Sequence, residues 1–185
     1  MKKWWLWALA LVMIAALTFF ALAPGMIEKS MNKVVATRLP TVTPETRKLH
    51  ASLQVADLHE DTLLWKRSLN DRSDRGQVDL PRLIEGNVAL QVFSSVSKTP
   101  KNQNYDANGA DTDNITMLAV AQLQPPRTWN SLLERSLFHA QKLDRAAAAS
   151  DGKLRVIRSA ADLGGLLAAR GKGSKIGGGV LARGG

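Results

Sequence analysis

The sequence predicts an α/β fold in which parallel strands alternate with helices. Three observations lead there. Short apolar runs at 53–58, 88–96 and 176–182 are separated by stretches of helical pattern. Those stretches are long enough to act as the crossovers that parallel strands require. The strand runs are apolar with few interruptions, which indicates burial on both faces, as at the start of a TIM (β/α)8 barrel.

The elements follow in order. Residues 4–23 are apolar except for Thr18, and Lys2 and Lys3 precede them. About 20 apolar residues cross a hydrocarbon core as a helix. Two lysines before such a run favour a cytoplasmic N-terminus with the remainder translocated. Ala21-Leu22-Ala23 also resembles a cleavage site. Residues 1–25 therefore read as a transmembrane anchor or as a signal peptide, and both place the rest outside the cytoplasm, periplasmic or extracellular. Residues 26–50, with Pro40 and Pro44, read as a linker, and 51–185 as the domain.

Within that domain the first strand is expected over 53–58, followed by a charged stretch that ends in turn composition at Gly76. Residues 79–86 form a short helix on their capping pattern: Asp79 can cap it, Pro81 suits its first turn and Gly86 can end it. A strand over 88–96 and a polar loop to Asp111 come next. Residues 113–124 are apolar on nearly all sides and read as a buried helix closed by Pro125-Pro126. Trp129, Leu132, Leu133, Leu137, Ala140, Leu143 and Ala147 have the spacing of an amphipathic helix, with His139 off the stripe and on the surface. A short extra strand at 154–157, a helix at 159–169 weakened by Gly164-Gly165, and a glycine-rich strand at 176–182 complete the order.

Composition narrows the chemistry. The chain has no cysteine, which excludes disulfides, thiolate ligands and a thiol nucleophile. Its net charge of +9 is concentrated late: from Gly152 onward seven Lys or Arg face Asp162 alone. No aromatic residues interleave with this basic, Gly-rich tail, so attraction to anionic lipid or simple solvation explains it better than nucleic-acid binding. Gly171 to Lys175 lacks the spacing of a phosphate loop, and His59-Glu60 does not open a zinc-peptidase helix because position 63 is Leu. Asp111 and Asp113 read as caps.

The densest motif is Val55-Ala-Asp-Leu-His-Glu-Asp61. In a strand that stays extended, His59 and Asp61 point the same way. An imidazole and a carboxylate converging at a buried strand end make half of a hydrolytic metal site. Read structurally, Asp61 caps a turn and His59 is a satisfied polar residue. Both readings stand on these residues alone.

Val-Ala-Asp-Leu-His-Glu-Asp-Thr-Leu-Leu (55–64), Val-Asp-Leu-Pro-Arg-Leu-Ile-Glu-Gly-Asn (78–87) and Val-Ala-Leu-Gln-Val-Phe-Ser (88–94) together resemble the start of the membrane dipeptidase family, the renal-dipeptidase-like zinc peptidases of the M19 group. The resemblance implies a (β/α)8 barrel with two zinc ions, hydrolysis of dipeptides by metal-activated water, and His59 and Asp61 as ligands of one ion. It also implies a bridging glutamate after the third barrel strand, where this chain has Arg183, and histidines on later strands. His50 and His139 match none of these. At 185 residues the chain is shorter than the about 250 that such a barrel takes. The expectation is therefore an N-terminal portion, about three strand–helix units, cut short by a frameshift or premature stop and inactive as it stands. A non-enzymatic, membrane-tethered protein whose basic tail meets anionic lipid or a partner is the alternative. A barrel completed by another chain is a third.

Overall fold

The computed structural model describes residues 3–182. They form a mixed α/β structure with one parallel sheet of four strands and one long apolar N-terminal helix. Helix α1 spans Trp4–Met31, 28 residues, and is long and apolar enough to cross a membrane or act as a signal sequence. It does not stop at Pro24-Gly25, although an internal proline removes a helical hydrogen bond. Tertiary contacts hold the last turns instead. Ile27 packs on Leu64, Trp65 and Ile115. Glu28 is 2% exposed and lies between two guanidinium groups, 2.8 Å from Arg67 Nε and 3.2 Å from Arg75 Nε. Asn32 then accepts a hydrogen bond from the Gly76 amide. The segment expected to be a linker is thus helical at both ends, because α2 occupies Pro44–Ser52 with Thr43 as its cap.

Strand β1 (Val55–Glu60) starts two residues later than the apolar run, so His59 lies inside it and Asp61 just beyond. Helix α3 (Leu80–Glu85) has the expected cap: Asp79 accepts from the Arg82 and Ser73 amides at 3.0 Å each. Burial pushes the Asp79 carboxyl up, but Arg82 and these amides outweigh it and leave it below its ordinary value. The left-handed residue after this helix is Asn87 (φ 54°), not Gly86, and its side chain donates to the carbonyls of His50 and Leu53. Strand β2 (Val88–Ser94) follows. Helix α4 (Ile115–Ala121) is shorter than expected and not wholly buried: Met117 is exposed, and Leu123 turns left-handed (φ 54°) ahead of the two prolines.

Helix α5 (Leu132–Ala148) forms where the periodicity puts it but rotated from the expected face. Leu132, Leu133 and Leu137 are exposed, while Arg135, His139 and Leu143 face inward. Polar partners drive the rotation. Arg135 donates to the carbonyls of Thr128, Ser97 and Trp129 and to the side chains of Asp113 and Thr116. Asp113 precedes the capping position, which Asn114 occupies; it accepts from the Ile115 amide at 2.8 Å and is the ionic partner of a buried arginine.

Strands β3 (Leu154–Val156) and β4 (Gly177–Ala182) flank helix α6 (Ala160–Gly171). The stretch expected to be a basic tail is therefore folded. Arg158 pairs with Asp144, and Arg170 donates to Gln54, Asn87 and the Ile176 carbonyl. Arg183, where the resemblance leads one to expect an acidic residue, lies outside the described residues.

All neighbouring strands are parallel, in the order β1-β2-β4-β3. Two adjacent glycines reveal the layering. A Cβ on Gly179 would meet Phe93 at 3.1 Å and Leu143 of α5 at 3.2 Å. One on Gly178 would meet Leu166 of α6 at 2.5 Å. Successive strand residues point to opposite faces, so α5 and α6 cover opposite sides of the sheet. Right-handed crossovers require this, because the chain reverses direction across the sheet between β3 and β4. Leu80 and Leu83 of α3 join Phe93, Leu143 and Leu154 in the core on the α5 side. The glycines are there because helices press close on both faces, which outweighs their poor strand propensity.

Gly178→Val is expected to destabilise the protein by about 1–3 kcal/mol, the usual range for overpacking a filled interior. A lower urea midpoint for the variant checks this; an unchanged midpoint would mean that Leu166 does not press on β4.

Candidate metal centre

The candidate ligands are placed by an irregularity in β1. Asp57 pairs with Gln91 and Glu60 with Phe93, so β1 uses one residue more than β2 over the same span. Such a bulge re-aims the side chains around it. Asp57 helps to hold it: one carboxylate oxygen accepts from the His59 amide at 3.2 Å, and the other accepts from Gln91 Nε2 at 2.9 Å. Gln91 and Phe93 share one face of β2, so Asp57 and Glu60 do too, and the bulge leaves His59 on the face of Ser94. Strict alternation along β1 would put Asp57 and His59 on one side. The bulge separates them.

The strand does not stay extended through Asp61. Asp61 (φ −101°, ψ 15°) precedes a 3-10 turn at Thr62–Leu64 without capping it through its side chain. His59 and Asp61 nonetheless converge, with His59 Nε2 3.4 Å from Asp61 Oδ1. His59 Nδ1 lies 3.0 Å from Ser94 Oγ at the C-terminal end of β2. Ser94 Oγ is also 3.4 Å from Nε2, as far as Asp61 Oδ1 is, so the hydroxyl lies against the ring edge between its two nitrogens and holds the imidazole beside the carboxylate. Asp61 Oδ1 is a buried atom with no hydrogen-bond partner, although the residue as a whole is half exposed. An orphaned carboxylate oxygen facing an imidazole nitrogen fits two corners of a zinc shell, which takes three or four protein ligands. Among the described residues no third His, Cys, Asp or Glu joins them. The pair sits at the carboxyl ends of parallel strands, where open α/β sheets and barrels place their sites.

His139 is not on the surface. It is 1% exposed, on the opposite side of the sheet, with Nδ1 2.9 Å from Ser95 Oγ. Burial, together with the charges of Lys142 and Arg135, lowers its pKa from 6.5 to about 4. Ser94 and Ser95 therefore serve different histidines on different faces. Neither serine stood out in the sequence; two consecutive hydroxyls ending an apolar strand were the available signal. His50 lies in the last turn of α2, remote in sequence and in hydrogen bonding from the His59–Asp61 pair.

Comparison with known proteins finds no matching family model, no matching curated protein and no matching solved structure.

The depressed His139 pKa makes stability depend on pH. Between about pH 6.5 and 4 the unfolded chain takes up a proton that the folded state excludes, so stability falls as pH falls through that window. The loss attributable to this group is about 3 kcal/mol. Urea unfolding at pH 7 and pH 4.5 should show the decline in the parent protein and a flatter profile in His139→Gln. Equal slopes would show that His139 titrates normally.

Proposed function

We propose that this chain carries the opening strand–helix units of a (β/α)8 barrel of the membrane-dipeptidase type, with His59 and Asp61 as zinc ligands and dipeptides as the substrate class. The observation that supports it most is the meeting of His59 Nε2 and Asp61 Oδ1 at the carboxyl edge of a parallel sheet. In this reading α3 and α5 are the outer helices. Helix α6 covers the inner face near the amino end of β4, at Gly178 and Leu90, leaving the carboxyl end with His59 and Ser94 open.

Zinc, when bound, acts as a Lewis acid and acidifies water to a pKa of about 7. The chain's own residues do the holding: His59 and Asp61 donate, Ser94 fixes the imidazole, and the Asp57–Gln91 hydrogen bond steadies the bulge. The remaining ligands and the second ion of the dipeptidase pattern belong to other strands. Helix α1 serves as the membrane attachment, and the lysines ahead of it favour an extracytoplasmic site.

Equilibrium dialysis of the full chain against zinc tests this reading. Retention should fall at least tenfold in His59→Ala and in Asp61→Ala, and about 10–100-fold in Ser94→Ala, the usual cost of losing an outer-shell partner. Retention independent of all three would favour the non-enzymatic tethered protein instead. With only two donors in place, the chain alone should release no amino acid from a dipeptide above background. Zinc-dependent hydrolysis in a coupled amino-acid assay would show that two protein ligands suffice.

A further inference from the structure

The last turns of α1 do more than dock. Between α1, the turn after β1 and α4 lies a cavity of about 640 Å3, in the size range of sites for small organic ligands. Phe19 and Ile27 of α1, Trp65, and Leu118 of α4 give it apolar walls. Two features identify an occupant. Phe19 belongs to the membrane-length apolar run, so the cavity's wall is continuous with a surface that lipid would cover. The lining also contains a single charged residue, Asp61, whose Oδ1 is buried and lacks a hydrogen-bond partner. No Lys or Arg lines it, so nothing balances an acidic headgroup.

We propose that this cavity binds a single-chain amphiphile with an amine head, the alkyl chain lying against α1 and α4 and the ammonium paired with the carboxylate of Asp61. From Phe19 to Met31 the helix rises about 18 Å, enough to flank a long alkyl chain. An ammonium group supplies the counter-charge to this carboxylate, whose side chain is 46% exposed. A fatty acid, with the same tail and an anionic head, would set two carboxylates against each other. Asp61 belongs to both sites, so zinc and the amine would compete for its carboxylate. The two are separated by testing with metal chelated, so failure here leaves the dipeptidase reading untouched, and loss of zinc retention leaves this one untouched.

The experiment uses the full chain in phosphatidylcholine nanodiscs with EDTA and a diazirine-bearing long-chain alkylamine. After illumination, mass spectrometry should place label on peptides containing Ile27–Met31 and Ile115–Ala121. Dodecylamine should compete at least tenfold better than dodecanoate. Asp61→Asn should abolish that preference while keeping the label, and Met117→Trp, at an exposed position on the cavity's rim, should exclude the label while leaving the circular dichroism unchanged. Label confined to the outer surface of α1 between Leu9 and Leu22, or equal competition by the two heads, would overturn the proposal.

Discussion

The parallel pairing of β1 on β2, with the extra β1 residue between Asp57 and Glu60, is the constraint on which the rest of the structure depends. It brings two carboxyl strand ends together, so the residue after one strand and the last residue of the next become neighbours. It also turns His59 out of step with Asp57 and onto the side of Ser94. The hydrogen bonds that keep the bulge come from Asp57, which is itself held by the buried Gln91. A regular ladder would have carried His59 to the face covered by α5.

The second organising feature is a set of charged and polar side chains that the interior accepts because each finds several partners. Arg135 satisfies three carbonyls from two separate segments, and Lys142 donates to the carbonyls of Leu63 and Trp65 while burial lowers its pKa to about 8. Such groups are costly to bury unpaired. They therefore fix how α5 sits on the sheet more narrowly than apolar contacts would, since only one rotation of the helix satisfies them.

Much of the architecture was legible from the chain, and what was not has a physical cause. Apolar runs marked the strands, and Asp79, Pro81 and Gly86 marked a short helix, because caps and strand patterns are local signals. The inward face of α5 was not legible. Its apolar stripe and its buried face differ, and partners such as Ser97 and Thr128 lie in other segments. The glycine-rich strand ran against propensity because close approach by Leu166 and Phe93 is a tertiary demand. For the candidate site, the spacing argument rested on a strand extended through Asp61, which the turn there breaks; His59 and Asp61 meet through that turn and the bulge, and these, like Ser94, arise from register and were not legible. Glu28 looked like a linker residue because its guanidinium partners lie far along the chain.

The burial of Glu28 has a geometric consequence. It stands five residues beyond Ala23, about 8 Å along a helix, and its two arginine contacts bind that point to the folded body. In a bilayer-attached protein the body would thus be held within one Debye length of the headgroups, about 8–10 Å at physiological ionic strength. Its surface would experience the pH and counterion concentrations of the interface rather than those of bulk solution. Solutes that partition to the lipid surface would encounter it at a concentration set by area, not by volume.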